Sequence, residues 1–205
     1  LDLYLPADRP ADQRGPGVVI IHGGGWVGGD KAASREFNIG TTLAKAGYVC
    51  ASVNYRLEAG KRWPTNLHDC KNAVRFLRAN AKKYGVDAEH IGVIGGSAGG
   101  HLALMVAYTT GVPALSPGQP YPGVSDKVDA VVDFYGITNV LTRQQTTEDG
   151  TPIAGTTKPC NLLTVSRNDA PEAWKEVSPV YHVSRQSPPT LIAHGLHDTT
   201  VDRDQ

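Results

Sequence analysis

Cysteine is scarce in this sequence: three in 205 residues, at Cys50, Cys70 and Cys160. Their wide spacing excludes a zinc ribbon and a CxxC redox motif, and three thiols cannot make a fully paired disulfide framework. An excess of charge is absent too, because 20 Lys and Arg offset 20 Asp and Glu. Composition therefore offers no footing for nucleic acid or an anionic membrane, and points to a small or neutral partner. Long apolar runs are missing, so no membrane span is expected. No signal peptide shows either, although the chain opens without methionine on "LDLYLP", which reads as a strand and leaves room for a targeting segment ahead of it.

Glycine, by contrast, is abundant, with 23 residues placed between short β-branched runs. "GVVIIHG" (17–23), "GYVCASVNY" (47–55), "HIGVIGG" (90–96), "VDAVVDFYG" (128–136) and "PTLIAHG" (189–195) read as strands buried on both faces. Between two of them, Leu67, Cys70, Val74, Leu77, Ala81 and Tyr84 recur at helical spacing. Lys71, Arg75, Arg78, Lys82 and Lys83 fall on the opposite, polar side. Pro64 and Gly85 supply start and stop signals, while Cys50 in a strand and Cys70 on the apolar stripe read as small core residues. The alternation predicts one α/β domain over 1–205, with a mostly parallel central sheet and helices on both faces. Residues 111–125 are Pro- and Gly-rich and read as a surface loop. Residues 137–189, with a short helix at 171–177, read as an insertion or lid.

The junction "HIGVIGGSAGGHLALMV" carries the chemistry. Gly95, Ser97 and Gly99 satisfy GxSxG where a strand turns sharply into an apolar helix. At such a turn the apex residue is strained and its flanks must be small. The apex lifts the Ser97 hydroxyl above the sheet, and the helix behind it offers free N–H groups, that of Ala98 among them. A second element, "IIHGGGWVGGDK", places His22, Gly23, Gly24 and Gly25 after a buried strand, where bare backbone can approach a ligand and donate to an oxyanion. A side chain on Gly24 is expected to intrude on that oxyanion and to harm turnover more than stability. A phosphate-cradling loop is disfavoured, because no GKS/T follows and no GxGxxG context is present.

With these residues in view, the chain resembles α/β-hydrolase esterases with an HGGG oxyanion loop. These are the hormone-sensitive-lipase-like group and its relatives acting on plant polysaccharide esters. "HGGGW", "SVNYRL", "GGSAGGHLALM" and "HGLHDTTV" occur in the family's order. The resemblance implies the α/β-hydrolase fold with an eight-stranded sheet, Ser97 as nucleophile, and the N–H groups of Gly24, Gly25 and Ala98 as oxyanion donors. Gly96 departs from the lipase-like pattern, which has Asp before the serine, and shifts the likeness toward carbohydrate and feruloyl-type esterases. Export to the periplasm or beyond is favoured by resemblance alone.

A serine hydroxyl needs a base, and the base an orienting acid. The family's HGxxDxxV motif falls on His194, Gly195, Asp198 and Val201, which makes Asp198 the expected acid. Asp202, the competitor, is expected to face solvent. All seven histidines precede Asp198, whereas the order in this fold is serine, acid, histidine. His22 is expected to brace backbone, His101 to be a hydrogen-bonded helix residue, and His197 is a conceivable substitute base. The expectation is that the histidine, with a last strand and helix, lies beyond Gln205, the chain being truncated at both ends. The function expected is a serine carboxylic ester hydrolase working through an acyl-enzyme, without metal or organic cofactor. Its expected substrates are short-acyl or polysaccharide side-chain esters, acetyl or feruloyl, whether small molecules or oligosaccharides, with Trp26 contacting substrate. An amidase or peptidase on the same scaffold and a catalytically silent binding domain remain the alternatives.

Overall fold

A computed structural model describes residues 1–7, 10, 13–58 and 62–205. Six strands form one sheet: β1 (Asp2–Tyr4), β2 (Gly15–Ile21), β3 (Val49–Val53), β4 (Val86–Gly96), β5 (Ala130–Phe134) and β6 (Thr190–Ala193). Their order is β1-β3-β2-β4-β5-β6. β1 alone is antiparallel, and the other neighbours are parallel. The strand runs and the parallel layout agree with the sequence reading; among the described residues the sheet has six strands where the resemblance implied eight.

Helices α1 (Ser34–Lys45), α2 (Thr65–Ala79), α3 (Ala81–Tyr84), α4 (Ala98–Tyr108) and α5 (Pro171–Glu176) complete the regular structure. Side chains alternate across each strand, and the core divides accordingly. Val19 and Ile21 join a continuous cluster with Leu67, Val74, Leu77, Leu102 and Met105 of α2 and α4. Ile20 and Cys50, equally buried, lie outside that cluster and face the side where α1 packs on β1, β2 and β3. On α1 the buried residues are Glu36, Gly40 and Ala44, four apart and mostly small; a Cβ on Gly40 would lie 2.5 Å from the Tyr4 ring. α4 is buried from Ala98 to Ala107, which makes it the central helix. Each large apolar side chain in this layer contributes about 1.5–3 kcal/mol by leaving water.

Three expectations are corrected. β6 is not buried on both faces: it is the edge strand of the sheet, and Leu191 and Ile192 are 60% and 51% exposed. The helix expected to run to Tyr84 breaks at Asn80, and Gly85 closes its second part in the left-handed conformation, φ 66°. Most instructive, Lys71 and Arg75 are buried rather than solvated. The 111–125 loop, with a 3-10 turn at Pro113–Leu115 and a buried Leu115, folds over that side of α2 and satisfies them. Lys71 Nζ donates to Thr109 O at 2.7 Å and to Ser116 Oγ at 3.1 Å, and lies 3.6 Å from Asp126. Arg75 donates to Pro117 O and pairs with Asp126 at 3.3 Å. Burial pushes the Lys71 ammonium down to about 8, with Asp126 acting in the opposite direction.

Removing one member of a buried ion pair leaves an uncompensated charge, which costs about 3–5 kcal/mol. Asp126→Asn should therefore lower unfolding free energy by that amount in urea titration. Lys71→Met and Arg75→Met combined with Asp126→Leu, which removes both buried cations with their shared carboxylate, should recover most of it; equal loss in the single and triple variants would show that the loop, not the charge, is at stake.

Candidate active site

The C-terminal ends of β2 and β4 bring the two glycine motifs together. β4 ends at Gly96 and α4 begins at Ala98, so Ser97 alone makes the turn, with φ 57° and ψ −126°. A side chain in that region is strained by about 1–3 kcal/mol unless its surroundings enforce it. Here they do. Ser97 N–H donates to Phe134 O on β5 at 2.9 Å, and Ser97 O accepts from His101 N at 3.0 Å. A Cβ on Gly95 would collide with the Gly99 carbonyl, and one on Gly99 with Ile21 O. The small flanks that the pattern demands are thus needed for strand-to-helix contact.

The glycine loop lies against this turn. A Cβ on Gly23 would sit 2.9 Å from Gly96 O and 3.4 Å from Ser97 Cβ. Gly24 and Gly25 have φ of 118° and 58°, and Val27 and Gly28 both donate to Gly24 O, closing the loop on itself. The N–H groups of Gly24, Gly25 and Ala98 have no acceptor among the described residues, as donors reserved for a ligand would. His22 braces the loop: its Nδ1–H donates to Gly23 O at 2.7 Å and its ring stacks on Tyr55 at 4.3 Å. Tyr55 donates to His22 O at 3.1 Å.

Two corrections concern this loop. Trp26, expected to contact substrate, is only 1% exposed; its indole N–H donates to His101 Nδ1 at 3.2 Å, and the His101 Nε2–H donates to Val177 O at 2.6 Å. Burial pushes His101 down to about 4, which suits a neutral ring that links the loop, α4 and the 137–189 segment. The second concerns Gly24, whose Cβ would strike the Gly28 backbone, not open space. From the 137–189 segment Asn161 reaches the loop, donating to Gly25 O at 3.3 Å, and accepts from Arg62 at 2.7 Å.

Asp198 sits in the turn after β6, where Oδ1 accepts from Thr200 N at 2.7 Å and Val201 N at 2.9 Å, and Oδ2 lies 3.5 Å from His194 Nε2. Asp202 is not solvent-facing: it is 1% exposed and accepts from Gln144 N and Gln205 Nε2, because the 137–189 segment packs back over it. No histidine side chain among the described residues is hydrogen-bonded to Ser97; the one contact from a histidine is the backbone N–H of His101 to Ser97 O. His197 donates through Nδ1 to Asp149 O at 2.9 Å, so its ring is engaged with another turn.

Sequence reading overlooked Arg35. Its guanidinium fills the space beside Gly96, where a Cβ would lie 2.5 Å from Nη1. It donates to Tyr135 Oη at 2.9 Å and to buried Glu36 at 2.8 Å. Gly96 thus differs from the lipase-like Asp because a guanidinium occupies the room that a side chain would need. Tyr135 itself is held at φ 45°; no spacing rule connects it to Arg35, 100 residues away.

A strained serine between a parallel strand and a buried helix, with a bare loop against it, places this molecule among the α/β-hydrolases. The chain belongs to the BD-FAE family, which it matches over residues 1–205. It is 34% identical to esterase LipC of Mycobacterium tuberculosis over 205 residues, all of this chain and 49% of LipC. The chain spans about half the length of the curated relatives it matches. It superposes on a truncated carbohydrate esterase from gut microbiota with TM-score 0.80 at 29% identity, covering 99% of this chain and 73% of that one. Esterase 2 of Thermogutta terrifontis gives TM-score 0.74 at 29% identity, with 98% and 68% covered; that enzyme also has structures phosphorylated by paraoxon and bound to butyrate.

The glycine geometry separates two neighbouring positions. Gly25→Ala, whose Cβ meets nothing closer than 3.9 Å, should cost only about 1–2 kcal/mol for its left-handed backbone. Gly24→Ala should cost more and distort the loop. Differential scanning calorimetry of both variants checks the order; equal melting temperatures would refute it.

Proposed function

We propose that this chain carries the nucleophile, oxyanion hole and acid of a serine carboxylic ester hydrolase working through an acyl-enzyme intermediate. The observation that carries the reading is the strained Ser97 apex beside three backbone N–H groups that have no acceptor among the described residues. Strain of this kind persists where it serves function. Ser97 Oγ attacks the ester carbonyl. As the carbonyl oxygen gains charge, the N–H groups of Gly24, Gly25 and Ala98 stabilise it, and such donors are each worth about 3–4 kcal/mol in the transition state. The alcohol leaves with a proton, and water then hydrolyses the acyl-serine by the reverse sequence. Asp198 orients the base. That base is a histidine outside these 205 residues, a reading supported by the engagement of the histidines here and by the greater length of the relatives. No metal or organic cofactor enters any step.

The substrates are short-acyl or polysaccharide side-chain esters, as the likeness to a carbohydrate esterase supports. The adducts that organophosphorus agents form with esterase 2 make a fluorophosphonate the apt probe. In the full-length protein it should label Ser97, identified by peptide mass spectrometry, and Ser97→Ala should abolish both labelling and p-nitrophenyl acetate hydrolysis. Ser97→Gly should be equally inactive yet more stable by about 1–2 kcal/mol, since glycine relieves the strained φ. Near-normal turnover by either variant would sink the assignment.

A further inference from the structure

Tyr135, the first residue past β5, is one of three side-chain-bearing residues with left-handed φ among the described residues; the others are Ser97 and Trp26. Such an outlier is kept where the structure gains from it, and here the gain is a direction. Gly95 and Asp133 are strand partners and both face α4: a Cβ on Gly95 would strike Gly99, and Asp133 fills the room beside Gly100. Strand alternation would send Tyr135 to that same side. With φ 45° it turns to the α1 side instead, and its hydroxyl lies 3.2 Å from the Cβ position of Gly96, next to the Arg35 guanidinium.

The donors of this pair are only partly spent. Arg35 has five N–H groups. Nε and Nη2 donate to Glu36 Oε1 and Nη1 donates to Tyr135 Oη, which leaves one N–H on each terminal nitrogen. Because the Tyr135 hydroxyl accepts from Arg35, its own proton is available, and it has no acceptor among the described residues. Arg35 Nη2 and Ser97 Cβ both lie 3.4 Å from the Cβ position of Gly23, so these donors border the nucleophile. The Arg35 side chain is 34% exposed, while its ion-pair partner Glu36 is 3% exposed. A guanidinium already neutralised by a buried carboxylate gains little from a second anion, which would leave a negative charge in excess. Its spare N–H groups and the phenol O–H suit neutral oxygen acceptors.

The direction of the chemistry says which half of the substrate they meet. Under the esterase reading, on which this inference rests, the leaving alcohol takes its proton from the base that Asp198 orients. Asp198 follows β6, so the alcohol half lies on the β5–β6 side of Ser97. Tyr135 is on that side, its N–H donating to Ala193 O at the end of β6 at 2.8 Å. We propose that Tyr135 and Arg35 bind a hydroxyl adjacent to the ester oxygen in the alcohol half, and so select esters of vicinal diols, such as a sugar ring carries, over esters of simple alcohols. Both residues donate to that hydroxyl oxygen and set specificity without taking part in proton transfer.

Two esters that share an acyl group and differ by one hydroxyl, trans-2-hydroxycyclohexyl acetate and cyclohexyl acetate, test this in the full-length protein. The parent should favour the hydroxylated ester in kcat/KM by about tenfold, the effect of one or two hydrogen bonds in a half-buried site. Tyr135→Phe keeps the ring, and Arg35→Lys keeps a cation beside Glu36 but loses the planar fork. Each should lower the ratio at least about threefold. The parent ratio needs no variant, so it decides the matter even if a variant folds poorly. Absence of preference in the parent, a ratio that survives both substitutions, or a rate loss shared equally by the two esters would each overturn the proposal. Hydrolysis of both esters at equal rate sinks this inference alone. If the parent hydrolyses neither and Ser97 resists fluorophosphonate, the esterase reading falls and the selectivity falls with it.

Discussion

The structure depends on one close approach, that of bare backbone to bare backbone where β4 becomes α4. Gly95 touches Gly99, Gly99 touches Ile21 O at the end of β2, and Gly23 touches Gly96 O. Any of these contacts is lost if a side chain intervenes. Together they hold Ser97 at φ 57°, seat the fully buried α4 on the sheet and bring the glycine loop to the serine. A strained residue survives only where its neighbours leave it no relaxed alternative, and here the neighbours are three strands and a helix that the core has already fixed.

Around that point the polar groups are committed in layers. His22 and Tyr55 lock the glycine loop from one side. Trp26, His101 and Val177 lock it from the other, through a neutral imidazole that accepts at one nitrogen and donates at the other. Arg35, anchored by Glu36, fills the space beneath Gly96 and reaches Tyr135. Among the described residues these networks leave the N–H groups of Gly24, Gly25 and Ala98 without acceptors, and in a preorganised site unspent donors are what acyl transfer requires.

The same accounting explains the distant 111–126 loop. Its Ser116 hydroxyl, Pro117 carbonyl and Asp126, with Thr109 O just ahead of it, satisfy two cations that α2 buries. A buried ion pair contributes little net stability, yet it ties the loop down just before β5, whose Phe134 O accepts from Ser97 N–H. Packing far from the site therefore sets its geometry.

The fold was legible because it rests on periodicity. Strands buried in a parallel sheet must read as continuous apolar runs, and an amphipathic helix must repeat at three and four, so β2 to β6 and α2 could be drawn from residue order alone. GxSxG between a strand and an apolar helix, and GGG after a strand, are equally local, and they marked Ser97, Gly24, Gly25 and Ala98 as candidates before any coordinate. What was not legible depends on partners far apart in the chain. Lys71 and Arg75 look solvated until a loop 40 residues on closes over them. Trp26 looks like a binding surface until His101 takes its N–H, and Asp202 looks exposed until the 137–189 segment covers it. Arg35 beside Gly96 and Asp133 beside Gly100 carry no spacing signal at all. Backbone conformation and apolar period are short-range properties that residue order determines; which polar group is buried, and against what, is decided only when distant segments pack.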